Sequence, residues 1–322
     1  LEWNRRQRQM CIRDSTKPDS DGNVTITFSR EDPKDGTYWM PVTDGYYIIA
    51  RYYGPNAMLN GNTVHDILFQ GTPLEEKFRA TKYNNPPMGA GGIPDIDSSG
   101  WATDPRDYGM TAKDYIHAEV HAFFNDIIGR TGDVNTFFHF PGLSPASDKF
   151  VVSPNNDTIY SFVIVNAQDG FTLELPDDEG RFMAIQIVDE NHMTPFYLYG
   201  GGDRRFERNQ FESDYLALYV RTGTTGTDED VRKVTQVLQP QYKIVGANPA
   251  NNIPKPDLDV LLRVREAMVK EYSKLTTTSG AMQPRTGLVK DWEFYTYVTA
   301  GALGLSADEN AMYTPYALPN AV

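Results

Sequence analysis

The stretch from Thr158 to Val188 constrains this chain more than any other. Thr158 to Asn166 is an apolar run rich in β-branched and aromatic residues, and Asp169-Gly170 behind it is a hairpin-turn signal. Phe171, Leu173 and Leu175 then alternate with Thr172 and Glu174, the pattern of a strand with one wet face. Pro176 to Gly180 turns the chain again, and Arg181 to Val188 reads as a third strand. A fourth, Tyr215 to Val220, follows a glycine-rich loop. Consecutive strands joined by tight turns predict an antiparallel meander, hence half of a sandwich or barrel.

Helices flank this β region. Thr111 to Ile128 is the clearest, with Thr111 as cap, Asp114 as its capping partner, Gly129 as its stop, and Ile116, Val120, Phe123 and Ile127 at core spacing. A helix starting at Thr227 carries Asp228, Glu229 and Asp230 in its first turn, where the helix dipole favours acids, and buries Val231, Val234 and Leu238 before Pro240. Asp257 caps another running to Leu275, and Asp291 to Leu305 is a third. Pro315 to Val322 looks like the entry to a strand that does not arrive. The chain is therefore expected to be mainly β with helices, an α+β fold.

Before the first helix, Val24, Ile26 and Phe28 alternate with polar residues, and Tyr46 to Tyr53 forms a second strand. Gly71 to Gly109 is rich in Pro, Gly, Asn and Asp without a period, which reads as a linker. Leu1 to Ser15 has no apolar period, and Met10 to Ser15 has the look of a translated sequencing adapter, so the segment is set aside as a non-native leader.

Composition excludes more than it assigns. A net charge of -13 argues against nucleic-acid or anionic-membrane surfaces, which need clustered Lys and Arg. Cys11 is the one cysteine, so neither an internal disulfide nor a cysteine metal cluster can form. No apolar run reaches the length of a membrane span.

Candidate chemistry gathers at two places. Asn155, Asn156, Asp157 and Thr158, with Tyr160 just beyond, put oxygen-bearing side chains at adjacent positions. In a loop these suit a cation or sugar hydroxyls, or they form an Asx-turn that launches the strand. In a simple meander the strand from Thr158 starts at the sheet end where the Pro176–Gly180 turn lies, so Arg181 is expected to pair with Asp157. Asp189 and His192, with Glu190 and Asn191 between them, fall at the opposite end beside Gly200-Gly201-Gly202. His192 suits a base or metal ligand, against the plainer alternative of a surface loop histidine. The glycine run lacks a following helix or P-loop lysine, which weakens phosphate cradling. His117 and His121 stand four apart on the first helix, a spacing that suits a transition metal, but Glu119 faces elsewhere and the order is not HExxH. No metal site or cofactor is predicted.

Pro154-Asn155-Asn156-Asp157-Thr158-Ile159-Tyr160-Ser161, Leu175-Pro176, Gly180-Arg181-Phe182 and Ile187-Val188-Asp189 resemble the bacterial domain of unknown function 1254, over about Ala112 to Gly246. Asp21 to Phe28, Trp39-Met40-Pro41 and Arg51-Tyr52-Tyr53-Gly54-Pro55 resemble the C-terminal end of the domain of unknown function 1214, which in that family follows the first domain. Here it comes first, as though the chain held the tail of one copy and the body of the next. The resemblance implies an immunoglobulin-like β-sandwich for the first domain and a jelly roll for the second, and brings no established reaction.

The resulting partition is a leader over 1–15, part of a jelly roll over 16–72, a linker over 73–110, the sandwich over 111–247, and a helical segment leading into a truncated second domain over 248–322. The reading that follows is a bacterial-type β-sandwich module, exported or periplasmic rather than cytoplasmic. It binds a small or carbohydrate ligand or self-assembles as a homo-oligomer. The alternative is a hydrolase-like enzyme at the Asp157/Arg181 or the Asp189/His192 end.

Overall fold

The computed structural model describes residues 20, 26–29, 31–34, 38–41, 47–53, 92–143, 157–178, 180–307 and 310–317. The leader, the Asp21-Gly22 turn, Val24, Asn155 and Asn156 lie outside the described residues. Strand β1 (Ile26–Ser29) runs parallel to β2 (Tyr38–Pro41), and β3 (Tyr47–Tyr53) follows. Then come α1 (Ala112–Thr131), β4 (Phe138–His139), β5 (Thr158–Asn166), β6 (Phe171–Glu174), β7 (Met183–Asp189), β8 (Phe196–Tyr199), β9 (Arg204–Phe206) and β10 (Tyr215–Gly223). The helix α2 (Asp228–Lys233), β11 (Lys243–Val245), α3 (Leu258–Tyr272), α4 (Trp292–Gly301) and β12 (Ala311–Ala317) complete the order.

The fold is α+β with antiparallel sheets, and among the described residues no sheet closes into a barrel. It is not a simple meander. A five-stranded sheet has the order β4-β5-β10-β7-β8, so β10 lies between the two strands expected to be near neighbours. β6 sits in a separate sheet of order β11-β6-β9. The Asp169-Gly170 turn therefore carries the chain from one sheet to the other.

The two sheets share one core. Phe196 of β8 packs against Phe206 of β9 at 5.5 Å between ring centroids, and Phe206 stacks on Phe171 of β6 at 4.9 Å. β6 shows the expected alternation, with Phe171 and Leu173 buried and Thr172 and Glu174 half-buried. β10 is buried along its whole length, because α1 covers the other face of its sheet. Phe123 of α1 meets Phe162 of β5 and Tyr219 of β10 edge-on at 6.4 and 5.8 Å. Ile116, Val120 and Ile127 of the helix stripe are buried as expected, but Phe124 is fully buried where Phe123 is only partly so.

Thr111 caps α1 as its sequence predicts: its Oγ1 accepts the Asp114 N–H at 3.1 Å. The helix passes Gly129 and stops at Gly132, whose φ is 89° and whose N–H donates to the Ile128 carbonyl. The asparatate caps of the later helices also form, Asp257 accepting from the Asp259 and Val260 amides and Asp291 from that of Phe294.

From residue 92 onward the segment read as a linker is built onto the helices. Ile93 is buried with Ile116, Met193 and Tyr295. The Ala102 N–H donates to Glu293 at 2.8 Å, the Thr103 N–H to the Tyr297 hydroxyl at 3.1 Å, and the Thr103 hydroxyl to Glu271 at 2.8 Å. Its polar composition reflects a strap tied down by side-chain acceptors instead of by a regular ladder. At the other end a strand does form where none was expected, since β12 pairs antiparallel with β3.

Candidate functional site

β7 and β8 form a hairpin whose loop, Asp189 to Met193, concentrates the polar chemistry. The Asp189 N–H donates to the Met193 carbonyl and the His192 N–H to the Asp189 carbonyl, at 2.9 and 3.0 Å. His192 closes this turn with φ 63°, a left-handed conformation usually left to glycine or asparagine. Its ring explains how that cost is met. Nδ1 lies 3.0 Å from Thr299 Oγ1, and Nε2 accepts the Gly304 N–H at 2.7 Å. Thr299 already donates its own proton to the Tyr295 carbonyl at 2.9 Å, so His192 is the Nδ1–H tautomer. His192 is fully buried, and that burial pushes its pKa down to about 3. The expected surface loop histidine is thus a buried clasp between the hairpin and the turn after α4, and neither ring nitrogen is left to act as a base.

Asp189 is buried as well, and its Oδ1 accepts the amides of Asn191 and Met193 at 2.9 and 2.8 Å. Burial raises its pKa to about 7 against those amides, with Glu212 and Glu190 adding to the rise. Tyr295 closes the loop from below by donating to the His192 carbonyl at 2.7 Å.

The outer side of the same loop faces α1. His117 Nε2 lies 2.9 Å from Asn191 Oδ1, and His121 Nε2 lies 2.9 Å from Glu190 Oε1. Burial lowers the pKa of His117 against its bond to Asn191. Glu190 Oε2 also accepts the Asp214 and Tyr215 amides, each at 3.1 Å. The two imidazoles thus address different oxygens, and among the described residues no group of three or more His, Cys, Asp or Glu is placed to hold a metal. Glu119 does face elsewhere: it is buried and takes Arg265 of α3 in a bidentate pair at 2.7 to 3.1 Å.

At the opposite end of the sheet, Arg181 does reach the neighbourhood of Asp157, but it pairs with another acid. Its Nη2 donates to Asp230 Oδ1 at 2.9 Å and its Nη1 to Asp230 Oδ2 at 3.2 Å and to the Gly223 carbonyl at 3.1 Å. Gly223 stands opposite Thr158 in the ladder, and the Asp157 carbonyl accepts the Thr224 N–H at 3.0 Å. The sheet end was therefore the expected one, and the acceptor was not. Asp230 belongs to the first turn of α2, where it also accepts the Thr224 hydroxyl and the Thr225 amide at 2.8 and 2.7 Å. Thr158 is buried, and Tyr160 stacks its half-buried ring on Phe162 at 5.8 Å.

The glycine run beside β8 presents carbonyls inward. Arg204 donates to the carbonyls of Tyr199, Gly200, Gly201 and Gly202 at 2.8 to 3.0 Å, while the Gly201 amide is taken by Asp178. A Cβ on Gly201 would stand 2.0 Å from the Pro176 carbonyl, so glycine is needed there for a close backbone approach, and the loop is no phosphate cradle.

One pair is absent from the sequence-derived candidates. His139 Nδ1 lies 2.8 Å from Ser161 Oγ, which also accepts from Gln239 at 3.1 Å. Burial lowers the pKa of His139 to about 4. The two residues are 22 apart in sequence and meet only through the β4–β5 pairing, so no local motif announces them. Ser161 is fully buried, which closes its hydroxyl to an incoming substrate.

Comparisons with known proteins add no reaction. No curated protein matches this sequence. Among solved structures the chain is similar to the VPA0106 protein from Vibrio parahaemolyticus, at 14% identity over 62% of this chain and 68% of that one, with a TM-score of 0.43. Among the described residues no helix is long and apolar enough to cross a membrane. Residues 3–57, a span that begins inside the segment set aside as a leader, match the model described as Protein of unknown function (DUF1214). Residues 134–206, from the approach to β4 through β9, match the model described as Protein of unknown function (DUF1254), so each stretch matches the model of the family that its motifs resemble.

Proposed function

We propose that this chain is a non-catalytic β-sheet module that works by association, with copies of itself or with a small or carbohydrate ligand. The observation that carries this reading is the Asp189–Met193 loop. Both nitrogens of His192 are engaged and the ring is buried, and Asp189 is held by two backbone amides. A general base needs a free lone pair within reach of a substrate proton, and this histidine offers none. At the other candidate end, the Arg181 guanidinium is engaged by Asp230.

The hydrolase alternative retains one foothold. His121 and Glu190 form a histidine–carboxylate pair whose side chains keep 12% and 18% of their exposure. Ser213, which precedes β10, is buried, and its hydroxyl accepts the Glu190 amide at 3.2 Å.

The test is a hydrolysis panel of chromogenic esters, phosphate monoesters and glycosides, run with labelling by a fluorophosphonate. The module reading expects neither turnover nor labelling. Turnover that disappears in His121→Ala would establish the alternative.

A further inference from the structure

The glycine run between β8 and β9 forms one wall of a cavity beside the outermost strand of the five-stranded sheet. The cavity measures about 210 Å³ and is lined by Leu198, Tyr199, Gly201, Asp203 and Arg204. Its wall is fixed by the chain itself. Gly200 and Gly202 hold left-handed φ values of 80° and 89°. The Gly200 N–H donates to the Met183 carbonyl at 2.9 Å, the Gly201 N–H to Asp178 at 3.0 Å, and the Gly202 N–H to the Leu175 carbonyl at 3.1 Å. Arg204 binds the four carbonyls from Tyr199 to Gly202, two with each Nη. A wall held on both its amide and its carbonyl side is in place before any ligand arrives.

These bonds decide what the cavity can take. An anion needs backbone amides or a guanidinium fork turned towards it, and here the three amides and both Nη groups are engaged within the protein. Asp203 differs. It is exposed, and among the described residues it enters no hydrogen bond or ion pair. A ligand must therefore bring hydrogen-bond donors to this carboxylate. The positive charge of Arg204 on the same lining disfavours an ammonium group and leaves the hydroxyl. Leu198 and Tyr199, 9% and 7% exposed, supply the apolar part of the lining. The volume lies below the ~300 Å³ at which drug-sized sites begin, which suits a single ring.

We propose that this cavity binds one neutral sugar ring, with the Asp203 carboxylate accepting its hydroxyls and Leu198 and Tyr199 meeting its C–H face. A pyranose matches each demand of the lining: it is uncharged, it carries adjacent hydroxyl donors, and it has an apolar face. Arg204 acts as a positioning residue, because it holds the carbonyl side of the wall and leaves recognition to Asp203. The proposal rests on the association reading above and names the ligand class and the place where it is held.

The experiment titrates the full chain with free glucose, galactose, mannose and N-acetylglucosamine, with inorganic phosphate and methylammonium as charged probes, and follows backbone amide shifts by NMR. At least one sugar is expected to shift the amides of Gly201, Asp203 and Arg204 in a saturable way. Asp203→Asn, at an exposed position where the fold is kept, is expected to weaken that sugar by about tenfold or more. Three results overturn the proposal. One is the absence of a saturable shift at these amides with every sugar up to tens of millimolar. Another is a sugar response that Asp203→Asn leaves unchanged. The third is saturation of the same amides by phosphate or methylammonium in place of sugar. Each of these leaves the hydrolysis panel untouched, so the module reading stands or falls separately.

Discussion

His192 Nε2 accepts the backbone N–H of Gly304 at 2.7 Å, which ties the β7–β8 loop to the turn that follows α4. This bond exists only while the ring is neutral, and the ring shares its loop with a buried acid, Asp189. The two groups give the fold opposite responses to pH.

For His192 the folded pKa of about 3 lies below the ordinary 6.5, so its contribution is complete above pH 6.5 and is lost as pH falls toward 3. For Asp189 the folded pKa of about 7 lies above 3.8, so its contribution is complete below pH 3.8 and is lost as pH rises through 7. Between these limits the two oppose each other. Relative to wild type, His192→Gln should therefore gain about 3 kcal/mol between pH 6.5 and pH 4, whatever its absolute loss. Asp189→Asn should gain in the other direction, by about 4 kcal/mol from pH 4 to pH 7. Urea unfolding of the three proteins across this range measures both slopes.

Asp230 should matter to stability through the groups gathered around its carboxylate. Burial works to raise its pKa, but Arg181, the Thr225 amide and the Thr224 hydroxyl outweigh it and hold the carboxyl well below the usual range. Its contribution is present above pH 3.8 and lost as pH falls below that. Asp230→Ala is expected to cost about 3 kcal/mol at neutral pH by leaving the guanidinium without its carboxylate. Chemical denaturation of this variant against the wild type measures the loss.

Glu119 and Arg265 join α1 to α3 through a carboxylate that is almost wholly buried. Glu119→Gln removes the charge and leaves the guanidinium opposed to a neutral amide, at an expected cost of about 3 kcal/mol. A double variant, Glu119→Leu with Arg265→Met, should recover most of that loss. Thermal unfolding of the pair measures the coupling.

Gly301 lets α4 lie against Tyr272 of α3. An added Cβ would stand 2.1 to 2.4 Å from three carbons of that ring. Gly301→Ala should cost about 2 kcal/mol despite the better helix propensity of alanine. Combined with Tyr272→Ala it should add little to the cost of Tyr272→Ala alone. A double-mutant cycle by urea unfolding decides.

Local chemistry in this sequence predicted local structure well. Thr111, Asp257 and Asp291 cap the helices they precede, and the alternation of Phe171 and Leu173 with Thr172 and Glu174 gives the faces of β6. What stayed hidden is long-range pairing. The tight turns around β6 suggested neighbours, yet β6 crosses to the second sheet and β10 inserts between β5 and β7, because a turn signal fixes the turn and not the strand's partner. The same gap explains Arg181: its place at the sheet end follows from chain order, but its acceptor, Asp230, arrives from a helix that read only as a dipole-favoured first turn. His192 looked exposed because acidic and polar residues surround it in sequence. Its burial depends on Thr299 and Gly304, more than 100 residues away.

The most direct measurement of the framework role assigned to the Asp189–Met193 loop is a pH titration of the His192 ring followed by nitrogen NMR in the full chain. The account predicts a neutral, Nδ1-protonated ring that persists to about pH 4 and becomes cationic only as the fold is lost. A ring that titrates near pH 6.5 in the folded protein, or that carries its proton on Nε2, would contradict it.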